Sequence, residues 1–114
     1  MCISKAEAAI KIYLAGPLGF SEAGRVFYNA HLIPALEQLG YVLYDPWAHQ
    51  GDIGAVQALP FGAERREAWR KLNMEIGRKN RVAIDGCNAM FAVLDGTDVD
   101  SGTAAEIGYG FARG

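Results

Sequence analysis

Ala89-Met90-Phe91-Ala92-Val93-Leu94, then, after Asp95-Gly96-Thr97-Asp98-Val99, the run Asp100-Ser101-Gly102-Thr103-Ala104-Ala105-Glu106-Ile107-Gly108-Tyr109: this stretch decides the fold. The apolar run reads as a buried strand, the acidic and glycine-containing segment as a turn, and the residues that follow as a helix. Such a strand-turn-helix unit places its carboxylates at the carboxyl edge of a sheet, where open α/β folds bind ligands. Glu106 is read as lying in the first helical turn, where free amides and the helix dipole favour the ionised carboxylate and keep it available as a nucleophile. The same spacing fits a capping box, with Thr103 as cap and the Glu106 side chain returning to the cap amide. Spacing alone leaves both readings open.

Working outward, strand and helix signals alternate along the chain. Residues 10–15, Ile-Lys-Ile-Tyr-Leu-Ala, are a short β-rich run closed by Gly16-Pro17 and read as the first buried strand. A helix follows, capped by Ser21, with Val26, Phe27, Ala30, Ile33, Leu36 and Leu39 at helical spacing up to Gly40. Pro34 falls inside that run, and proline costs a helix interior about 3 kcal/mol, so a kink near Ala30 or two helical pieces are expected. Residues 41–44 read as a second strand closed by Asp45-Pro46. A long loop is expected from Trp47 to about Gly62, of the size that forms lids or binding segments. Residues 63 to about 80 carry Trp69, Leu72, Met74 and Ile76 among Glu, Arg and Lys and read as an amphipathic helix, with Glu64-Arg65-Arg66-Glu67 as a solvated face. The βαβαβα alternation argues for an α/β fold, a parallel sheet with right-handed crossovers and helices on both faces. Doubly wound sheets usually have about five strands. With three, this sheet is expected to be C-terminally truncated.

The chain has 114 residues, 51% of them hydrophobic, enough for a single domain over residues 1–114 with a modest core. Eleven Lys and Arg against thirteen Asp and Glu leave a net charge of −2, with no block of like charge, which points away from nucleic acid and from acidic membrane surfaces. A small-molecule ligand is expected. Cys2 and Cys87 lack zinc or redox spacing and suit a reducing cytoplasm. No metal site is visible, and no run reaches the roughly 18 apolar residues of a membrane span. Gly108-Tyr109-Gly110 lacks the full dinucleotide fingerprint, and no Walker-type sequence occurs.

Taken together, Ile12-Tyr13-Leu14-Ala15-Gly16-Pro17, Tyr44-Asp45-Pro46-Trp47, and the long motif from Asp95 through Asp100-Ser101-Gly102-Thr103 to Glu106-Ile107-Gly108-Tyr109 resemble the nucleoside 2-deoxyribosyltransferase family. The resemblance runs from Lys11 onward. It implies a flavodoxin-like fold, no metal or organic cofactor, and transfer of 2-deoxyribose between nucleobases through a covalent sugar-enzyme intermediate. By position it makes Glu106 the nucleophile, Tyr13 the residue whose hydroxyl orients it, and Asp100 the holder of the deoxyribose. Asn80 stands where many members carry a base-contacting aspartate. An amide cannot act as an acid, so Asp98, Asp85 or water is left as proton donor to the departing base. Gly16, Asp98 and Gly102 are expected among the substrate contacts, and Phe20 and Trp47 are expected to stack on the base, although two aromatics at a sheet edge also suit ordinary packing. The implied partners are 2′-deoxyribonucleosides, free nucleobases and further copies of the chain, as dimer or hexamer. His31 and His49 read as surface or structural. A rival is a hydrolase of 2′-deoxynucleoside 5′-monophosphates, for which residues 16–21 and Arg25 would cradle a phosphate. A second is a non-catalytic nucleotide-binding module in which Glu106 only caps its helix.

Overall fold

A computed structural model describes residues 9–114; Cys2 and its expected reduced state lie outside them. Its centre is a three-stranded, all-parallel sheet in the order β2-β1-β3, built from β1 (Lys11–Ala15), β2 (Val42–Tyr44) and β3 (Ala89–Ala92). Ile12 lies opposite Leu43 on one side and Ala89 on the other, and Tyr13 lies opposite Tyr44 and Met90. Side chains alternate across a strand, so β1 serves two layers. Ile12 and Leu14 form the core with Tyr28 and Leu36, joined by half-buried Leu18, Leu32, Ile33, Tyr41, Leu43 and Trp47. Burying each such side chain contributes about 1.5–3 kcal/mol. Tyr13 faces the other layer, where its hydroxyl meets the last helix. Helices therefore cover both faces, as the flavodoxin-like reading requires.

The first crossover breaks where the proline predicts. Helix α1 (Glu22–Phe27) starts on a Ser21 cap that accepts from Gly24 N at 3.0 Å, widens into a π turn over Tyr28–Leu32, and resumes as α2 (Ile33–Gln38). Pro34 has no N–H to give, and the wide turn ahead of it moves the carbonyl that its ring would strike. Gly40, at φ 92°, ends the segment in the left-handed region.

The expected long loop is partly ordered into helix. Asp45 opens a 3-10 turn over Pro46–His49, and Asp52 caps α3 (Ile53–Gln57) by accepting from Ala55 N at 2.9 Å. Both use the short-range Asp-to-amide bond that the loop composition permits. Helix α4 runs further than its periodicity suggests, Ala63–Gly86, and buries none of its residues fully. Its charged outer face includes Glu67–Arg70 and Glu75–Arg78 ion pairs, each at 2.6 Å. β3 stops at Ala92, two residues short of the apolar run, and α5 (Ser101–Arg113) closes the chain. Among the described residues, no helix is long and apolar enough to cross a membrane.

Candidate active site

Tyr13 and Glu106, 93 positions apart, meet between the sheet and α5: the tyrosine hydroxyl donates to Glu106 Oε2. Parallel pairing puts Tyr13 in the middle of the sheet with no exposed surface, and α5 brings Glu106 over it. Gly110, one turn further along α5, lies close against Met90, where a Cβ would come within 3.1 Å of the Met90 methyl. The small residue lets the helix sit low on β3.

The amino end of α5 corrects the capping-box reading. Asp100 is the cap, and its Oδ2 accepts from both Thr103 N and Thr103 Oγ1 at 3.0 Å. Thr103 is buried with its hydroxyl satisfied. Among the described residues the Glu106 side chain accepts from no backbone amide. It lies in the second turn, not the first, beyond the range in which the helix dipole is effective. Burial accordingly dominates its ionisation and raises the carboxyl above its ordinary value; the Tyr13 hydrogen bond opposes that shift and the Asp100 charge adds to it. Tyr13 is itself raised, by burial first and by its bond to Glu106 second, so the phenol keeps its proton and remains a donor.

Asp100 Oδ1 makes no hydrogen bond among the described residues, which leaves one oxygen of the cap free beside Glu106. Gly102 sits in the first turn of α5, where a Cβ would come 3.4 Å from Asp100 Oδ2. Gly16 ends β1 against Val93, to which a Cβ would approach within 3.0 Å. Asp98 is exposed in the turn before α5. Asn80 is half-buried on α4; its neighbours Arg78, Lys79 and Val82, though not Asn80 itself, border a cleft of about 430 Å³ with Tyr44 and His49.

Two expectations change with the geometry. Phe20 and Trp47 meet edge to face, centroids 4.7 Å apart and planes at 87°, so they leave no parallel slot for a base. Trp47 packs on the core and Gly19 lies against its indole, whereas Phe20 is 69% exposed. Asp85 also falls away as a proton donor. It accepts from Tyr109 Oη at 2.8 Å and from Arg113 Nε at 3.0 Å, beside Asn88 and Ala89 at the amino end of β3, whereas Asp100 follows the carboxyl end.

Sequence reasoning did not single out as a site residue Tyr44, whose ring stacks on Tyr13, and read His49, whose ring stacks on Tyr44, as surface or structural. For Tyr44 the signal in the sequence was alternation within residues 41–44, which becomes a contact once strand register is known. The phosphate cradle is committed internally: Arg25 Nη1 donates to Gly19 O at 3.0 Å, and Ser21 Oγ is the cap of α1. Among the described residues no group of three or more His, Cys, Asp or Glu is placed to hold a metal ion.

Glu106 is thus a half-buried carboxylate held by a neutral phenol beside a second carboxylate, a set suited to attack on an electron-poor carbon. No curated protein sequence matches the chain significantly. The family model described as nucleoside 2-deoxyribosyltransferase matches residues 12–114.

Proposed function

The chain belongs to the nucleoside 2-deoxyribosyltransferase family, and on that premise we propose that it exchanges the nucleobase of 2′-deoxyribonucleosides through a covalent deoxyribosyl intermediate on Glu106. The observation that carries the reading is the Tyr13–Glu106 hydrogen bond. A buried carboxylate free of capping duty, aimed by a phenol that keeps its proton, is what a nucleophile at an anomeric carbon requires.

In the first step a Glu106 oxygen bonds to C1′ as the C1′–N bond breaks, and the bond's electron pair leaves with the base, which takes up a proton. Positive charge that builds on the sugar ring is met by the adjacent carboxylates. In the second step the nitrogen of another base attacks C1′, releases Glu106 and gives up its proton. Two displacements at one carbon retain configuration. The free oxygen of Asp100 takes a deoxyribose hydroxyl, Asn80 hydrogen-bonds the base, and the proton for the departing base comes from Asp98 or water. A second base that arrives before water makes the protein a transferase, so exclusion of water governs the product. Further copies of the chain, as dimer or hexamer, complete the reading.

Chromatography of 2′-deoxyinosine incubated with adenine tests this. Wild type forms 2′-deoxyadenosine, and Glu106→Gln, which still accepts from Tyr13, folds but loses turnover by about 10³-fold or more. Free 2-deoxyribose as the sole product would favour the hydrolase, with inhibition by inorganic phosphate as its second mark. Full turnover by Glu106→Gln would remove Glu106 from the mechanism.

A further inference from the structure

Tyr44 and His49 have no part in the steps above, yet Tyr44 stacks on Tyr13 and His49 stacks on Tyr44. Tyr44 lies directly opposite Tyr13 in the parallel β1–β2 pairing, so both side chains leave the sheet on the same face. Their rings stack with centroids 5.6 Å apart and planes 12° apart. The His49 ring continues the stack on Tyr44, at 4.8 Å and again 12°. Both spacings fall within the range of favourable aromatic pairs, about 4.5–7 Å.

A chain of side-chain bonds sets this geometry. His49 closes the turn Pro46–His49, which Asp45 caps by accepting from Trp47 N at 3.0 Å, and the Tyr28 hydroxyl donates to the same Asp45 oxygen at 2.7 Å. Tyr28 is a core residue on the opposite face of the sheet. The turn that lays His49 over Tyr44 is thereby tied to the core.

β2 is an edge strand. On that side, the cleft of about 430 Å³ between α4 and the end of β2 is bordered by Tyr44, His49, Gly51, Lys79 and Val82. Tyr44 borders the cleft and also stacks on Tyr13, which has no exposed surface and does not itself border the cleft.

We propose that Tyr44 and His49 are positioning residues of the transfer reaction: their stacked rings hold the Tyr13 ring with its hydroxyl on Glu106 and close that hydrogen bond to water from the cleft. The proposal rests on Glu106 as the nucleophile. Its functional content is a bias in product, because a glycosyl-Glu106 ester reached by water yields 2-deoxyribose, whereas one kept dry waits for a base.

Three readouts test it, one of them independent of turnover. In wild type the Tyr13 hydroxyl proton gives a proton resonance protected from exchange with water, assigned by its loss in Tyr13→Phe. Tyr44→Ala and His49→Ala lose that protection, lower the exchange rate of 2′-deoxyinosine with adenine about tenfold with KM within twofold, and raise the fraction of product released as 2-deoxyribose. Tyr44→Phe and His49→Phe, which keep a flat ring, restore all three. His49 is exposed, so His49→Ala remains informative if Tyr44→Ala fails to fold. Folded alanine variants that keep the protected proton and the wild-type product ratio would overturn the proposal. So would phenylalanine variants as impaired as the alanine ones, since a hydroxyl or imidazole nitrogen would then be the active group. A wild type without base exchange whose protected proton still depends on Tyr44 would sink the transferase reading and leave the stack standing.

Discussion

Glu106 shows how one side chain's chemistry depends on where its helix begins. With Thr103 as cap it would be a capping residue in the first turn; with Asp100 as cap it is a second-turn residue whose carboxylate is released to meet Tyr13. Burial raises the Glu106 pKa and so disfavours the ionised carboxylate, which gives two predictions. Because the folded value lies above that of the unfolded chain, the folded state binds the proton more tightly. Stability on this account is full below the ordinary glutamate value, about 4.3, and is lost as pH rises through the raised folded value. Glu106→Gln carries no charge, so it melts above wild type at neutral pH, and the gap closes as pH falls below about 4. Thermal melts across that range check it, and a gap of opposite sign would mean that the ionised form stabilises the fold. Tyr13→Phe removes the one hydrogen bond that lowers Glu106. Loss of a bond to a charged group is worth about 1.5–3 kcal/mol, so exchange falls about 10- to 150-fold, and the acid limb of the pH-rate profile moves to higher pH. A limb left in place would show that Tyr13 does not govern the ionisation of Glu106.

Elements were legible where a local cause acts within a few residues. Pro34 announced the break between α1 and α2, Ser21 the start of α1, and Gly40 the end of α2. The segment from Trp47 to Gly62 reads as loop from sequence because Asp45-Pro46 signals a turn, whereas Asp45 and Asp52 each cap a short helical piece. Helix α4 outran its expected end because residues 81–86 break no helical rule, and only contact with α5, through Asp85 with Tyr109 and Arg113, brings out its full length. Gly24 offers a test at this scale. A Cβ there would drive into the carbonyl oxygen of Leu18, a backbone atom that cannot swing aside. Gly24→Ala therefore destabilises the protein by about 1–3 kcal/mol, the usual cost of overpacking, read as a lower urea midpoint at unchanged slope. Asp45→Ala removes the cap under Trp47 and strands the Tyr28 hydroxyl, and costs about 1–2 kcal/mol in the same assay.

For the whole molecule, the described core is thin. Ile12, Tyr13, Leu14, Ala15, Tyr28 and Leu36 are its buried apolar residues, whereas Phe20, Phe61 and Phe111 are 69%, 91% and 89% exposed. Apolar surface left in water at this level favours self-association, so light scattering is expected to give the mass of two or more chains. A single-chain mass at every concentration would reject the oligomer. From residue order alone came the parallel α/β architecture, the broken first crossover, and the carboxylate-bearing turn after β3, because periodicity, proline geometry and short-range capping act over a few residues. Only tertiary structure decided that Asp100 and not Thr103 caps α5, which frees Glu106 for the Tyr13 bond that the family resemblance implies, that Phe20 and Trp47 meet edge to face, and that Tyr44 and His49 stack toward the site. Each of these depends on strand register and helix depth, and those are set by burying side chains that lie tens of residues apart in the chain.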